Sequence, residues 1–234
     1  MKIAKQSVEL IDCSGGDLSV VNAARVSFHK ESEMEEFTSY HDAYGPVISY
    51  KLSDKDAKLI KYLAEHNHKS PFNHAFMSFR VKAPIFVARQ LVKHEYLPWN
   101  EVSRRYVDEE PEFFLPSYWR KKADNVKQGS SDEAVDTPET VFNKHYTEMC
   151  LKHYTNLLRD GVCAEQARMV LPQNIMTEWI WSGTLFAFAK MCNLRLDSHT
   201  QKETQEIAKM IHDTASNLFP VSWKALVKDN SNDL

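Results

Sequence analysis

Two periods of apolar residues run along this chain. Leu59, Ile60, Leu63 and Ala64 share a face at helical spacing, and Ser53 with Asp56 three residues on predicts the helix start. Pro71 requires that helix to stop near Asn67. A longer helix opens at Thr137-Pro138, with Val141, Phe142, His145, Met149, Tyr154, Leu157 and Leu158 on its apolar side, and ends at Asp160-Gly161. A final helix over 201–218 buries Ile207, Met210, Ile211 and Leu218. Shorter helices are predicted over 18–28 (Leu18, Val21, Ala24, Val26), from Pro84 (Ile85, Phe86, Ala88, Leu91 and Val92 inward) and over 164–171, where Pro172 ends the turn. Residues 185–194 are apolar except Lys190. Strict alternation over 76–81 predicts a strand, and a weaker alternation over 7–13 predicts another. Residues 177–181 fit either a strand or a helix start.

Between these elements lie polar stretches. Residues 29–52 are acidic first and aromatic later and read as a surface insertion, ordered in part by Tyr40, Tyr44, Val47, Ile48 and Tyr50. Two prolines make 109–119 irregular. Residues 120–136 read as an exposed loop and the tail after Lys228 as frayed. No repeat or linker divides the chain, so 1–234 is taken as a single domain mixing helices and strands.

The most informative stretch is 88–106. It begins as the end of a helix, breaks at Pro98 and continues as a polar loop. Charges of both signs stand there among Tyr96, Trp99 and Tyr106. A solvated loop has fewer rings and a core segment fewer charges. The mixture suits a pocket for a flat, charged ligand, because guanidinium planes stack and also hold phosphate. Arg89 and Lys93 lie four apart, as do Gln90 and His94.

Composition narrows the function classes. A net charge of -3 gives no global attraction to nucleic acid or anionic membrane. With 6 glycines and neither a P-loop nor a dinucleotide fingerprint, phosphate must be held by side chains. His66, His68 and His74 fit no zinc spacing and read as helix-end and turn histidines; no metal is expected. Cys13, Cys150, Cys163 and Cys192 form no CxxC pair, which suits a reducing compartment. No stretch is apolar enough for a signal peptide or a membrane span, which points to the cytoplasm.

Asn100-Glu101-x-Ser103-x-Arg105-Tyr106, with His94 upstream, resembles the signature Arg-His-Arg-x-x-Ser-x-Asn-Glu-x-Ser-x-Arg-Tyr of the flavin-dependent thymidylate synthases. Five further stretches fall in the family's order: 22–27, 68–74, 81–90, 167–172 and 193–199. The resemblance implies an α+β fold with a central, mostly antiparallel sheet flanked by helices. It implies a homotetramer whose active sites are shared between subunits, and synthesis of dTMP from dUMP. FAD, NADPH and 5,10-methylenetetrahydrofolate are the implied cofactor and co-substrates.

Carried over by position, the resemblance assigns Gln90, Lys93, Glu101, Ser103, Arg104, Arg105, Arg168 and Arg195 to dUMP. Arg105 and Arg168 suit phosphate or the uracil carbonyls, and Arg195 suits charge developing on the ring. It assigns Ser70, Lys93, His94, Glu95, Glu101, Thr184, Phe186 and Lys190 to FAD, with His68 nearby. Arg195, Ser103 and His68 are the implied catalytic group. Ser103 has no evident activating base and is read as a hydrogen-bonding ligand. The chain departs from the signature at Lys93, Glu95 and Pro98, and from the family pattern at Thr184 and Phe186.

Two other readings compete with this one. The first is a divergent relative that binds nucleotide but has lost or altered flavin chemistry, motivated by Glu95, Thr184 and Phe186. The second is a nucleic-acid module using Arg104, Arg105, Arg120, Lys121 and Lys122, which the acidic balance opposes.

Overall fold

The computed structural model describes residues 1–41, 45–107, 109–124 and 129–228. Tyr44, the Gln128 part of the expected loop and the expected frayed tail beyond Lys228 lie outside the described residues. In chain order the elements are β1 (Lys2–Ile3), β2 (Ser7–Ser14), α1 (Asp17–Arg25), β3 (Glu35–His41), β4 (Gly45–Lys51), α2 (Asp54–Glu65), β5 (Phe76–Pro84), α3 (Ile85–Leu91), β6 (Trp99–Glu101) and β7 (Glu112–Phe113). There follow β8 (Trp119–Lys122), β9 (Ser130–Val135), α4 (Pro138–Arg159), α5 (Ala164–Ala167), β10 (Met176–Thr184), α6 (Leu185–Arg195), α7 (Lys202–Leu218) and α8 (Pro220–Leu226). Short 3-10 turns occupy Val26–Phe28, Ser70–His74 and Arg168–Val170.

The central sheet has the order β2-β5-β10-β6, and every pairing in it is antiparallel. Alternation along β5 and β10 gives it a buried and an open face. Met77, Phe79, Val81, Trp179 and Trp181 point to the buried face. On the other face Arg80 pairs with Glu178 at 2.7 Å and Ser78 with Ser182 at 2.8 Å. α6 lies against the buried face. It is apolar nearly all round and sinks Leu185, Phe188, Met191 and Cys192 completely, as such a helix must. Phe188 meets Phe79 and Trp181 edge-on at 5.2 and 5.5 Å. α7 adds Ile207, Ile211 and Ala215, and α8 adds Trp223.

The two central strands fix where the helices begin. β5 and β10 run in opposite directions, with Pro84 opposite Met176 and Phe76 opposite Thr184. α3 and α6 therefore leave the sheet at opposite ends. Eleven residues of helix rise about 16 Å, which returns the last residue of α6, Arg195, to the end of α3.

Several expectations are corrected. The stretch after Pro98 is not a loop at first: Trp99–Glu101 pairs with β10, and Trp99 stacks on Trp179 at 4.1 Å. Residues 177–181 belong to a strand. The insertion at 29–52 contains a β3–β4 hairpin. Residues 120–136 are not simply an exposed loop, because β8 and β9 pair and the Arg120 side chain donates to Ser130 and Glu203. Arg120 is thus unavailable to a basic surface. The α3 residue buried instead of Val92 is Val87; Val92 follows the helix and is exposed. The apolar side expected for α4 is largely open: Val141, Phe142 and Met149 are exposed, and the helix buries only Thr147 and Tyr154.

Candidate active site

The implied site residues gather in three places. The first is a cleft of about 310 Å³ at the β6 edge of the sheet, lined among others by Lys82, Glu101, Arg104, Arg168, Thr177 and Glu178. Strand pairing places Glu101 opposite Trp179. Both its oxygens are held: Trp99 Nε1 donates to Oε2 at 3.0 Å and Thr177 Oγ1 to Oε1 at 2.6 Å. Arg104 donates to the Glu109 carbonyl at 2.6 Å, and Arg168 to the Glu165 carbonyl at 3.3 Å. A fixed carboxylate beside two guanidiniums offers an acceptor for an N–H or hydroxyl and forks for a phosphate. On the loop beyond Glu101, the backbone N–H and Nε of Arg105 both donate to Ser103 Oγ, at 3.3 and 3.2 Å. Ser103 is therefore flanked by a cation. Among the described residues no imidazole or carboxylate bonds its hydroxyl, which fits a ligand better than a nucleophile. The Arg105 guanidinium lies over the Tyr106 ring at 4.8 Å.

The second place is where α3, α6 and α7 meet. Arg195 donates from Nε to His94 Nε2 at 2.9 Å and from Nη2 to the Gln90 carbonyl at 3.0 Å. The Gln90 side chain is turned towards α7: its Nε2 donates to Gln201 Oε1 at 2.6 Å, and its Oε1 accepts from Thr204 at 3.2 Å. Burial holds the His94 imidazolium down, to about 4, and the Arg195 and Lys190 charges add to the effect. Burial also lowers the Arg195 guanidinium from its ordinary value. One turn earlier on α6, burial pushes the Cys192 thiol well above the usual range, so it has no thiolate character. Lys190, on the same helix, pairs with Glu95 at 3.1 Å. Lys93 is exposed beside them.

The third place is the start of α6. Thr184 caps the helix, accepting from the Ala187 N–H at 3.2 Å and donating to Asn73 at 2.8 Å. Lys69 Nζ stands 5.5 Å over the Phe186 ring, beside the exposed Ser70. His68 and His66 are exposed and both stack on Tyr62, at 6.1 and 4.1 Å. Among the described residues no group of His, Cys, Asp and Glu could hold a metal.

No side-chain hydrogen bond among the described residues joins these three places, and the length of α6 separates Thr184 from Arg195, with Lys190 between them. Sequence reasoning missed Thr177, Gln201, Thr204, Asn73 and Lys69. Gln201 and Thr204 reach Gln90 across more than a hundred residues, a distance that no spacing rule covers. Asn73 and Lys69 lay inside the motif at 68–74 and were legible there.

The family model described as thymidylate synthase complementing protein matches residues 9–221. The chain is 37% identical over 226 residues to the flavin-dependent thymidylate synthase of Thermotoga neapolitana, covering 96% of this chain and 92% of that one. It is 35% identical to the enzyme of the same name from Thermus thermophilus, covering 94% and 75%. Among solved structures, it resembles the UMP/dUMP methylase PolB from Streptomyces cacaoi bound with 5-Br dUMP. The TM-score there is 0.79 at 29% identity, over 96% of both chains.

Proposed function

Because this chain belongs to the flavin-dependent thymidylate synthases, we propose that it converts dUMP to dTMP with 5,10-methylenetetrahydrofolate as the carbon source. FAD, when bound and reduced by NADPH, would supply the hydride. The observation that carries this reading is the cleft in which Glu101, fixed at both oxygens, stands beside Arg104 and Arg168. A phosphate suits the two guanidiniums, and the carboxylate can accept from a sugar hydroxyl or the uracil imide. Ser103 adds a hydrogen bond to substrate. Arg195 presents a fixed cation where negative charge develops on the activated ring, a form of stabilisation that needs no reorganisation during the reaction. With Cys192 buried, no thiol addition to the pyrimidine is built into α6.

The residues around α6 fit FAD. Lys69, Lys93 and Lys190 supply positive charge for a diphosphate, Ser70 and Thr184 supply hydroxyls, and Phe186, His68 and Tyr62 supply flat faces. Thr184 and Phe186 depart from the family pattern, but Lys69 over Phe186 supplies a cation there. Glu95 reverses a charge, and Lys190 neutralises it. The reading of a relative without flavin chemistry is accordingly not favoured.

The active site would be completed between copies in a homotetramer. The separation of the three places within one chain supports this, as does the open apolar side of α4. The four free cysteines support a cytoplasmic setting.

The purified protein should be yellow. Its flavin band should bleach with NADPH under anaerobic conditions, and dUMP with methylenetetrahydrofolate should give dTMP. UMP should be run in parallel, since the solved neighbour is named for both nucleotides. A chain that cannot be loaded with FAD, or that loads and yields no methylated pyrimidine, would overturn the reading.

A further inference from the structure

We propose that His94 is a positioning residue that aims Arg195, acting as a neutral imidazole whose Nε2 lone pair accepts from Arg195 Nε. This goes beyond the flavin contact that the resemblance assigns to His94, and it rests on the proposed role of Arg195.

A guanidinium has five N–H donors and no acceptor. Two are committed, one from Nε to His94 at 2.9 Å and one from Nη2 to the Gln90 carbonyl at 3.0 Å. These two contacts hold one edge of the plane at two points, which fixes rotation about the end of a long side chain. The donors on Nη1 are left for a ligand. Because arginine stays charged, the bond to an imidazole exists only if Nε2 carries a lone pair, so the proton of His94 must be on Nδ1. A doubly protonated ring would set donor against donor and cation against cation.

The surroundings favour the neutral ring. Charged groups near the imidazole are Arg195 and Lys190 from α6, with Lys93 and Glu95 beside it on its own segment. Glu95 is already paired with Lys190. Burial and the two α6 cations hold the imidazolium down, to about 4. The second anchor is equally held. Gln201, at the N-cap of α7, and Thr204 in its first turn grip the Gln90 side chain, which steadies the carbonyl that receives Arg195. Three helices thus converge to fix one guanidinium, and His94 is the one member whose protonation could release it.

The test uses the intact FAD-loaded protein and three variants. In His94→Gln, the amide oxygen can take the place of Nε2 as acceptor. His94→Phe keeps the ring shape without the lone pair, and His94→Ala removes both. With flavin content per chain unchanged, Ala and Phe should lower kcat for dTMP about 10- to 100-fold, and Gln should recover it to within about fivefold of the parent. Equal losses in all three variants, or kcat unchanged in Phe, would overturn the proposal. A second measurement needs no turnover and no folded variant of His94. In nitrogen-15 histidine spectra of the parent, His94 should show the Nδ1–H tautomer and resist protonation down to about pH 4. In Arg195→Ala it should protonate at clearly higher pH. An Nε2–H tautomer, or a titration that ignores Arg195, would refute the positioning role. Should the parent make no dTMP at all, the function would be at fault, and the spectra would still decide whether His94 holds Arg195.

Discussion

Lys190 of α6 and Glu95, four residues beyond the end of α3, form an ion pair at 3.1 Å across the segment implied to face the flavin. The family signature has an arginine at the position of Glu95, and here Lys190 offsets the reversed charge. Both side chains are more than half exposed, so the pair contributes at most about 1 kcal/mol to stability. Its consequence should appear in ligand affinity. Glu95→Gln should leave thermal stability nearly unchanged and tighten FAD about two- to fivefold, because one more positive charge is released towards a diphosphate. Lys190→Ala should weaken FAD about tenfold. Absorbance titration of the flavin-free protein measures both, and a tighter complex in Lys190→Ala would contradict the assignment.

Arg195 and Ser103 should separate cleanly. Arg195→Ala should lower kcat by about 1000-fold or more with the fold intact, as loss of a fixed group opposite developing charge does. Ser103→Ala should leave a working enzyme, slowed about 10- to 100-fold and chiefly through dUMP KM, the cost of one hydrogen bond to a charged or polar ligand. Steady-state kinetics with circular dichroism on each variant tests this. Complete loss of chemistry in Ser103→Ala with dUMP still bound would favour a nucleophile.

The Arg120–Glu203 pair predicts a stability effect away from the chemistry. Its side chains are 17% and 7% exposed and 2.8 Å apart. Burial alone would raise the Glu203 carboxyl, but the Arg120 hydrogen bond and charge, together with a backbone hydrogen bond and one from the Gln201 side chain, outweigh it and hold the carboxyl below its usual range. Removing one partner leaves a buried charge alone, so Arg120→Leu should cost about 3 kcal/mol or more, while Arg120→Leu with Glu203→Leu should recover most of it. Urea unfolding gives both values.

Acid should destabilise this protein before most carboxylates titrate. His94 takes up a proton near pH 6.5 when unfolded but only near about 4 when folded. The unfolded chain therefore binds more protons in that window. The stabilising contribution is complete above pH 6.5 and is lost as pH falls from 6.5 towards 4. Allowing for partial exposure, the change is on the order of 1–2 kcal/mol. Melting temperature against pH should show this slope in the parent and a flatter one in His94→Gln. The lowered carboxyls of Asp56 and Glu203 add further loss at lower pH.

Much of this arrangement was written locally in the chain. The α2 and α4 starts followed from Ser53 and Thr137, whose hydroxyls accept from the N–H groups of Asp56 and Thr140. The strand at β5 followed from periodicity, because burial of one face imposes period two; the apolar run that became α6 was visible as apolar only, because burial all round imposes no period. The resemblance carried by 94–106 identified the family from side-chain order alone, since a binding loop must keep its donors and acceptors in sequence.

What only the tertiary structure decided was which of those side chains meet. Trp99–Glu101 became a strand because β10 offered an edge and Trp179 a face to stack on; no local rule distinguishes three such residues from a loop. The polar stretch 120–136 gained a buried end because Glu203, more than eighty residues away, needed a cation to enter the interior. The apolar side of α4 satisfied every helical rule and still faces outward, because periodicity reports that a face is apolar and not what covers it. His94 and Arg195 are a hundred residues apart, and only the antiparallel pairing of β5 and β10, with α6 running back along the sheet, brings that imidazole to that guanidinium.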